Sequence, residues 1–145
     1  MVRIIDDKLS LIPYYRNDEV SLTWYQDIDI CKQVDNMDEL YNLERLHRMY
    51  DYLCEHGDCY YIQYQGQLIG DVSLLDDGAI AIVICKAYQN RQIGRRCVLE
   101  MLQLAYEKEL SSVKANIYSF NRQSQKMFLA VGFRQIDEEW YEYSL

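Results

Sequence analysis

Three apolar segments joined by two tight turns dominate the middle of the chain, and they constrain its fold more than any other feature. The segments "CYYIQY" and "QLIGDVSLL" flank a Gln-Gly turn, and this pattern predicts a β-hairpin. A second turn, "DDG", leads into "AIAIVIC", which is apolar on both faces and rich in isoleucine. Such a run is typical of a central strand that is covered on both sides. We therefore predict a three-strand antiparallel meander between Cys59 and Cys85.

The segment before the meander predicts one strand and two helices. "VRIIDDKLSLI" alternates weakly and predicts the first strand, and "VSLTWYQ" predicts a short helix within the mixed region from Arg16 to Asn36. A longer helix follows, with Asn36 and Glu39 as a capping arrangement at its start and Gly57 at its end. Its apolar residues recur at helical spacing: Leu40, Leu43, Leu46, Met49, Tyr50, Leu53 and Cys54.

After the meander the predicted order is helix, strand, helix and two strands. The first of these helices runs from about Arg91 to Leu110, and its inner stripe is Ile93, Cys97, Val98, Met101, Leu102 and Ala105. "SVKANIYSF" predicts a strand that is expected to lie parallel to "AIAIVIC", because a helix separates the two. The helix "NRQSQKMFLAVGF" is capped by Asn121 and ended by Gly132, and the strands "FRQIDEEW" and "YEYSL" follow. We predict one α/β domain over residues 1–145 with a mixed sheet.

The charge and cysteine content exclude several classes of function. A formal net charge of −8 argues against nucleic-acid binding, which depends on neutralising phosphates with Lys and Arg. No stretch approaches the roughly 20 apolar residues that a membrane span needs, and the start resembles no signal peptide. Five cysteines without a secretory signal predict reduced, buried thiols in a cytoplasmic protein. The spacing in "CEHGDC" matches no metal site, so we expect no metal.

A local basic cluster stands out in this acidic chain. Arg91, Arg95 and Arg96 crowd the start of a helix that follows a buried strand, and Gly94 lies among them. A helix N-terminus presents unpaired N–H groups and a positive dipole end, which favour an anion. The loop has neither the Gly-Lys-Ser/Thr of a Walker site nor the glycines of a Rossmann fingerprint. From the loop alone, an anion site and a solvated basic helix start remain alternatives.

Two segments together resemble the acetyl-CoA site of the GNAT superfamily of N-acetyltransferases. "AIAIVICKAYQNRQIGRRCVLEML" is similar to that family's strand–loop–helix, whose motif is Gln/Arg-x-x-Gly-x-Gly/Ala. Gln89 and Gly94 match the first and last positions of the motif, whereas Gln92 replaces its middle glycine. "NIYSFNRQSQKMFLAVGFRQ" resembles the second CoA element, and four residues match there: Asn121, Ser124, Gly132 and Phe133.

The resemblance implies a fold, a cofactor and a set of cofactor-binding residues. The implied fold is a mixed, mostly antiparallel sheet with helices on both faces and a splayed parallel strand pair that binds CoA. The pantetheine would meet the strand Ile82, Val83 and Ile84, near which a main-chain N–H would polarise the thioester carbonyl. The remaining implied contacts are Gln89, then Asn90, Arg91, Gln92, Ile93, Gly94 and Arg95 around the pyrophosphate, and Asn121 and Ser124 from the other side.

The implied activity is transfer of an acetyl group from acetyl-CoA to a primary amine by direct attack. The usual positions of the general base and general acid of this family are occupied here by Ala79 and Phe128. Asp71 interrupts an apolar strand pattern and is our candidate base, with a structural carboxylate as the alternative. Tyr118 is the candidate acid, with a packing role as the alternative, since a thiolate leaves readily without one.

The acceptor side is less defined by the sequence. Trp24, Tyr25 and Asp27 lie where the resemblance implies an acceptor pocket, and aromatic rings with carboxylates suit a cation. Core packing with solvated acids is the competing interpretation. The acidic balance favours a small cationic acceptor. Two other hypotheses remain: a catalytically degenerate CoA-binding sensor or interaction module, and a protein or peptide N-acetyltransferase. The oligomeric state is open between a monomer and a homodimer.

Overall fold

The computed structural model describes residues 1–145, which form eight strands, five α-helices and one 3₁₀ turn. The strands are β1 (Arg3–Ile4), β2 (Leu9–Pro13), β3 (Gly57–Tyr64), β4 (Gln67–Leu75), β5 (Ile80–Ile84), β6 (Ser112–Asn116), β7 (Arg134–Gln135) and β8 (Trp140–Ser144). The helices are α1 (Asp18–Trp24), α2 (Ile28–Asp35), α3 (Leu43–His56), α4 (Ile93–Glu107) and α5 (Arg122–Val131), and the 3₁₀ turn is Lys86–Tyr88.

The predicted meander is confirmed as the centre of a five-stranded antiparallel sheet in the order β1-β2-β3-β4-β5. Gln65 and Gly66 join β3 to β4 with positive φ angles of 50° and 81°, as a type I′ hairpin turn requires. In the register of this sheet Asp71 of β4 lies between Tyr61 of β3 and Val83 of β5. The three side chains therefore share one face of the sheet.

The second sheet has three antiparallel strands in the order β6-β8-β7, and it meets the first at one place. A single parallel bridge joins Ala79 to Lys114, whose N–H donates to the Gly78 carbonyl at 2.9 Å. Gly78 has a φ of 93°, and a Cβ there would lie 2.7 Å from the Ser112 carbonyl oxygen. Beyond the bridge β5 pairs only with β4 and β6 only with β8, so the two strands diverge.

Two hydrophobic cores lie on opposite faces of the large sheet. The first packs α4 and α5 against both sheets, and the predicted inner stripe of α4 is buried in it throughout. The second packs α1, α2 and α3 against β3 and the buried Val83 of β5, and it is rich in aromatic side chains. In β5 the side chains of Ile82 and Ile84 face the first core, whereas Val83 faces the second.

Three predictions for the first half of the chain were wrong in detail. The first strand is two short strands, because Asp6 turns the chain by accepting hydrogen bonds from the N–H groups of Lys8 and Leu9. The Arg16–Asn36 region holds two helices instead of one. Asn36 does not start the long helix: it ends α2 in a left-handed conformation with φ of 54°, and Asn42 caps α3.

Smaller differences concern the later elements. We expected β5 to be covered on both faces. Instead, β5 is the last strand of its sheet and Ala81 is exposed. The strand predicted over "FRQIDEEW" reduces to Arg134–Gln135, because the acidic residues that follow form a turn. All five cysteines are unpaired, but Cys54 is exposed, contrary to the expected burial. None of the helices is both long and apolar enough to cross a membrane.

Candidate active site

A cleft of about 620 Å³ opens where β5 and β6 diverge. Its walls are β5, the loop that leads into α4, the first turn of α4, β6 and α5, and its far end reaches α2. All but one of the predicted cofactor-binding residues line it: Ile82, Val83, Ile84, Gln89, Asn90, Gln92, Ile93, Gly94, Arg95, Asn121 and Ser124. The exception is Arg91, which is exposed and lies over the ring of Tyr88 at 5.2 Å.

The strand edges give the cleft free main-chain groups. In the ladder between β4 and β5, the N–H of Cys85 donates to the carbonyl of Ile69 at 2.8 Å. Because neighbouring residues of an antiparallel ladder alternate in direction, the main-chain groups of Ile82 and Ile84 point to the other edge, into the cleft. The carbonyl of Ile84 accepts a hydrogen bond from the side chain of Gln89 at 2.9 Å. The groups of Ile82 are left for a ligand.

The opposite edge of the cleft is similarly free. Ile117 of the second sheet donates its N–H to the carbonyl of Glu139 at 2.8 Å. By the same alternation the main-chain groups of Asn116 face away from β8 and towards the cleft. The two diverging strands therefore expose unpaired donors and acceptors to each other across a gap.

The loop before α4 is shaped by two residues in the left-handed region. Asn90 and Gln92 have φ angles of 61° and 63°, and Gln92 is the N-cap residue of α4. Ile93, Gly94 and Arg95 follow in the first turn, where their N–H groups donate to no protein acceptor. Successive N–H groups in such a turn form a concave donor site for anions. Gln92 thus occupies the motif's middle-glycine position in a backbone conformation that glycine adopts without strain.

The electrostatics of the cleft differ from those of the molecule. The formal net charge is −8, yet no Asp or Glu lines the cleft, whereas Arg95, Lys114 and Lys126 do. None of these three cations forms an ion pair with a protein carboxylate. Arg96, which the sequence groups with Arg95, is instead paired with Asp6. The cleft is therefore a basic site in an acidic protein.

The second wall comes from the start of α5. Asn121 caps this helix by accepting a hydrogen bond from the N–H of Ser124 at 3.3 Å, as its position in the sequence predicts. Phe128, at the usual position of the general acid, is buried and packs edge-on against Phe133 with centroids 5.0 Å apart. It contributes an apolar surface to the cleft and has no proton to donate.

Asp71 lies next to the cleft without lining it. Its side chain is only 4% exposed, and the hydroxyls of Tyr25 and Tyr50 each donate to its Oδ2 at 2.7 Å. Burial raises the pKa of this carboxyl to about 6, although the two hydrogen bonds act in the opposite direction. Its register partner Val83 lines the cleft. Asp71 is therefore one side chain away from the space where a ligand would lie.

The remaining predicted residues lie outside the cleft lining. Tyr118 is half-buried and stacks on Phe120 with centroids 5.7 Å apart. Burial raises the pKa of Tyr118, and the charges of Asp35 and Glu139 add to this effect. Trp24 and Tyr25, expected in the acceptor pocket, are buried in the second core.

Asp27, the third residue expected in the acceptor pocket, caps α2 by accepting a hydrogen bond from the N–H of Asp29 at 2.9 Å.

The α2 end of the cleft was not predicted from the sequence. It is formed by Ile30, Gln33 and Val34 of α2, together with Asn116 and Trp140 of the second sheet. One signal for part of it was present: in "VKANI" polar residues alternate with apolar ones, which places Lys114 and Asn116 on one face of β6. The contribution of α2 carries no such signal, because that helix is far from β6 in the sequence.

Solved structures of known proteins share this fold. A domain from Methanocaldococcus jannaschii is 23% identical, with a TM-score of 0.83 over 97% of this chain and 100% of that one. Spermidine N-acetyltransferase from Vibrio cholerae, solved with CoA and spermine, is 13% identical, with a TM-score of 0.82 over 96% of each chain. An acetyltransferase from Salmonella typhimurium that modifies the N-terminal serine of a 50S ribosomal subunit protein is 10% identical, with a TM-score of 0.79 over 100% and 99%.

A family comparison goes further than the shared fold. No curated protein sequence matches the chain. The model of the acetyltransferase (GNAT) family, however, matches residues 22–133, which include the second core, the meander, α4 and α5. The matched range contains both walls of the basic cleft. This chain therefore belongs to the acetyltransferase (GNAT) family, and it is an acetyl-CoA-dependent acyltransferase.

Proposed function

We propose that the protein transfers an acetyl group from acetyl-CoA, bound in the basic cleft, to the primary amine of a small acceptor. The observation that carries this proposal is the charge of the cleft: three unpaired cations and no carboxylate line it in a chain of net charge −8. A polyanionic cofactor is the ligand that such a cleft would attract. The five unpaired thiols fit a reducing compartment such as the cytoplasm.

The residues present fit CoA in both shape and chemistry. The N–H groups of Ile93, Gly94 and Arg95 lack protein acceptors and would bind the pyrophosphate, with the Arg95 guanidinium beside them. The free main-chain groups of Ile82 and Asn116 would pair with the amides of the pantetheine as an added strand does. Asn121 and Ser124 would close the site from α5.

The main chain of β5 would also act on the reacting group. Acetyl-CoA, when bound, supplies an activated acetyl group and a thiolate leaving group. The N–H of Ile82 points into the cleft and would polarise the thioester carbonyl as the amine attacks it directly. Because a thiol has a pKa near 8.5, the leaving group departs without an obligatory acid, in accord with the buried Phe128.

We propose Asp71 as the group that receives the proton of the amine through water, with Tyr25 and Tyr50 orienting its carboxylate. A pKa of about 6 gives this carboxyl a proton affinity suited to a base near neutral pH. Both hydroxyls donate to its Oδ2 and so fix the orientation of the carboxylate. Tyr118 is the proposed proton donor to the thiolate.

The acceptor is proposed to enter from the α2 end and to carry a positive charge in addition to the attacking amine. Asp35 and Glu139 lie close enough to Tyr118 for their charges to raise its pKa. Trp140, 40% exposed, adds an aromatic face that suits an alkylammonium group. The spermidine acetyltransferase neighbour, solved with spermine, is consistent with such an acceptor.

A thermal titration followed by an acceptor panel tests the proposal. Acetyl-CoA at about 100 times its dissociation constant should stabilise the folded protein by about 2.7 kcal/mol. Release of free thiol is then measured with polyamines, amino acids, aminoglycosides and peptides with a free N-terminus. Stabilisation with amine-dependent thiol release supports the proposal, and the absence of stabilisation overturns it.

A second candidate, a CoA-binding sensor or interaction module, is favoured by one specific observation. The residues that line the cleft include no carboxylate or imidazole, and the usual acid position is the buried Phe128. Stabilisation by acetyl-CoA without thiol release on any amine or peptide would favour this candidate over the enzyme.

A further inference from the structure

The cation Lys114 lies on a different side of the cleft from the other two. Val113, Ala115 and Ile117 of the second sheet are buried in the first core, together with α4 and α5. Because side chains alternate along a strand, Lys114 and Asn116 project from the opposite face of β6. Arg95 of α4 and Lys126 of α5 belong to the first-core side of the cleft. The pyrophosphate cradle therefore does not account for Lys114.

Lys114 also lacks a structural partner. It is exposed, it forms no ion pair, and the carboxylate of its cross-strand neighbour Glu142 lies 4.0 Å from Arg134 instead. The residue paired with it across the junction is Ala79, which carries no charge. An unpaired ammonium group thus stands where the two strands begin to diverge.

The surroundings of Lys114 inside the cleft are polar and uncharged, and the nearest carboxylate is that of Glu142 on the neighbouring strand. Asn116 projects from the same face of β6, and Gln33 lines the α2 end of the cleft opposite it. Each amide offers N–H donors, which are suited to an oxygen anion. A polyamine would meet the like charge of Lys114 at this point, and like-charge contacts oppose binding.

We propose that Lys114 recognises a carboxylate on the acceptor, so that the preferred substrate is a small amino acid or related compound and not a simple polyamine. This inference rests on the proposed function and names the acceptor class of the same site. The carboxylate lies against Lys114 and the Asn116 amide, and the amine reaches the acetyl group from there.

Matched acceptor pairs that differ only in the carboxylate test this inference. Lysine is compared with cadaverine, and ornithine with putrescine, by thiol release and by calorimetric binding to the CoA-loaded protein. We expect the amino acid of each pair to be preferred at least tenfold in kcat/KM, the effect of one charge-assisted hydrogen bond. Lys114→Glu should remove that preference, measured as the ratio of kcat/KM within each pair.

The control is Lys8→Glu, which makes the same charge change at an exposed, unpaired lysine in the β1–β2 turn. It should change neither the preference nor CoA binding. Turnover without a preference for the amino acid, or a preference that survives Lys114→Glu, overturns the inference and leaves the proposed function standing. A binding preference for the amino acid without thiol release overturns the proposed function and keeps only the recognition of a carboxylate by Lys114. Neither binding nor turnover overturns both.

Discussion

The left-handed conformation of Gln92 leads to a stability prediction. A non-glycine residue in this region costs about 1 kcal/mol, whereas glycine adopts it freely but loses more entropy on folding. Gln92→Gly should therefore raise the free energy of unfolding by about 0.5 to 1 kcal/mol, measured by urea denaturation. Its main-chain N–H is retained, so the affinity for CoA should stay within about twofold.

Gln92→Ala is the matched control, because it shortens the side chain without relieving the backbone. It should not stabilise the protein. Equal stabilisation by both substitutions would show that the glutamine side chain, and not the backbone conformation, is unfavourable.

Asp71 leads to a prediction in which stability and activity change separately. Its pKa in the folded protein is about 6, above the ordinary 3.8, so the folded state binds the proton more tightly than the unfolded state. The resulting stabilisation is complete below pH 3.8 and is lost as the pH rises to about 6. The loss amounts to about 3 kcal/mol.

Asp71→Asn should abolish this part of the pH dependence, as followed by urea denaturation between pH 4 and 7. At the same time kcat should fall by about 10² or more, because the proposed base is absent. Unchanged kcat with the same loss of pH dependence would assign Asp71 a purely structural role in joining α1 and α3 to the sheet.

At the scale of single elements, a substitution in the first turn of α4 should affect helix stability and ligand binding in opposite directions. A Cβ at Gly94 would lie 3.4 Å from Ile84 Cδ1 and 3.7 Å from Met127 Cε, which are ordinary contacts with residues that line the cleft. Gly94→Ala should keep or raise the melting temperature, since alanine favours the helix.

The same methyl group would enter the space in front of the pyrophosphate cradle. Calorimetry should therefore show CoA binding weakened about tenfold by Gly94→Ala, in contrast to Gln92→Gly. Unchanged affinity would mean that the main chain of this turn does not approach the ligand.

The elements also show how far the sequence alone could predict the structure. The meander, α4 and α5 were predicted because their hydrophobic periods are strong and their caps, such as Asn121, are unambiguous. Asn36 was assigned to the wrong helix end, because asparagine suits both an N-cap and a left-handed C-cap. The β5, α4 and α5 walls of the cleft follow from two local motifs, whereas its α2 end brings Gln33 and Trp140 together only through the tertiary fold.

At the scale of the whole molecule, the basic cleft is a local positive site in a protein with a formal net charge of −8. Arg95→Gln should weaken CoA binding about tenfold at low ionic strength and make the affinity less dependent on salt. The neighbouring Arg96→Gln is the control, because Arg96 is paired with Asp6 outside the cleft. Calorimetry at two salt concentrations distinguishes the two variants. Equal losses of CoA affinity in both would indicate that the overall positive charge, and not a specific contact with Arg95, attracts the ligand.

The single bridge between the two sheets has a consequence for the solubility of the protein. Where β5 and β6 diverge, each presents an unpaired strand edge, and such edges recruit strands from other chains. Bound CoA would cover both edges, so the ligand would protect the protein from aggregation as well as take part in its reaction.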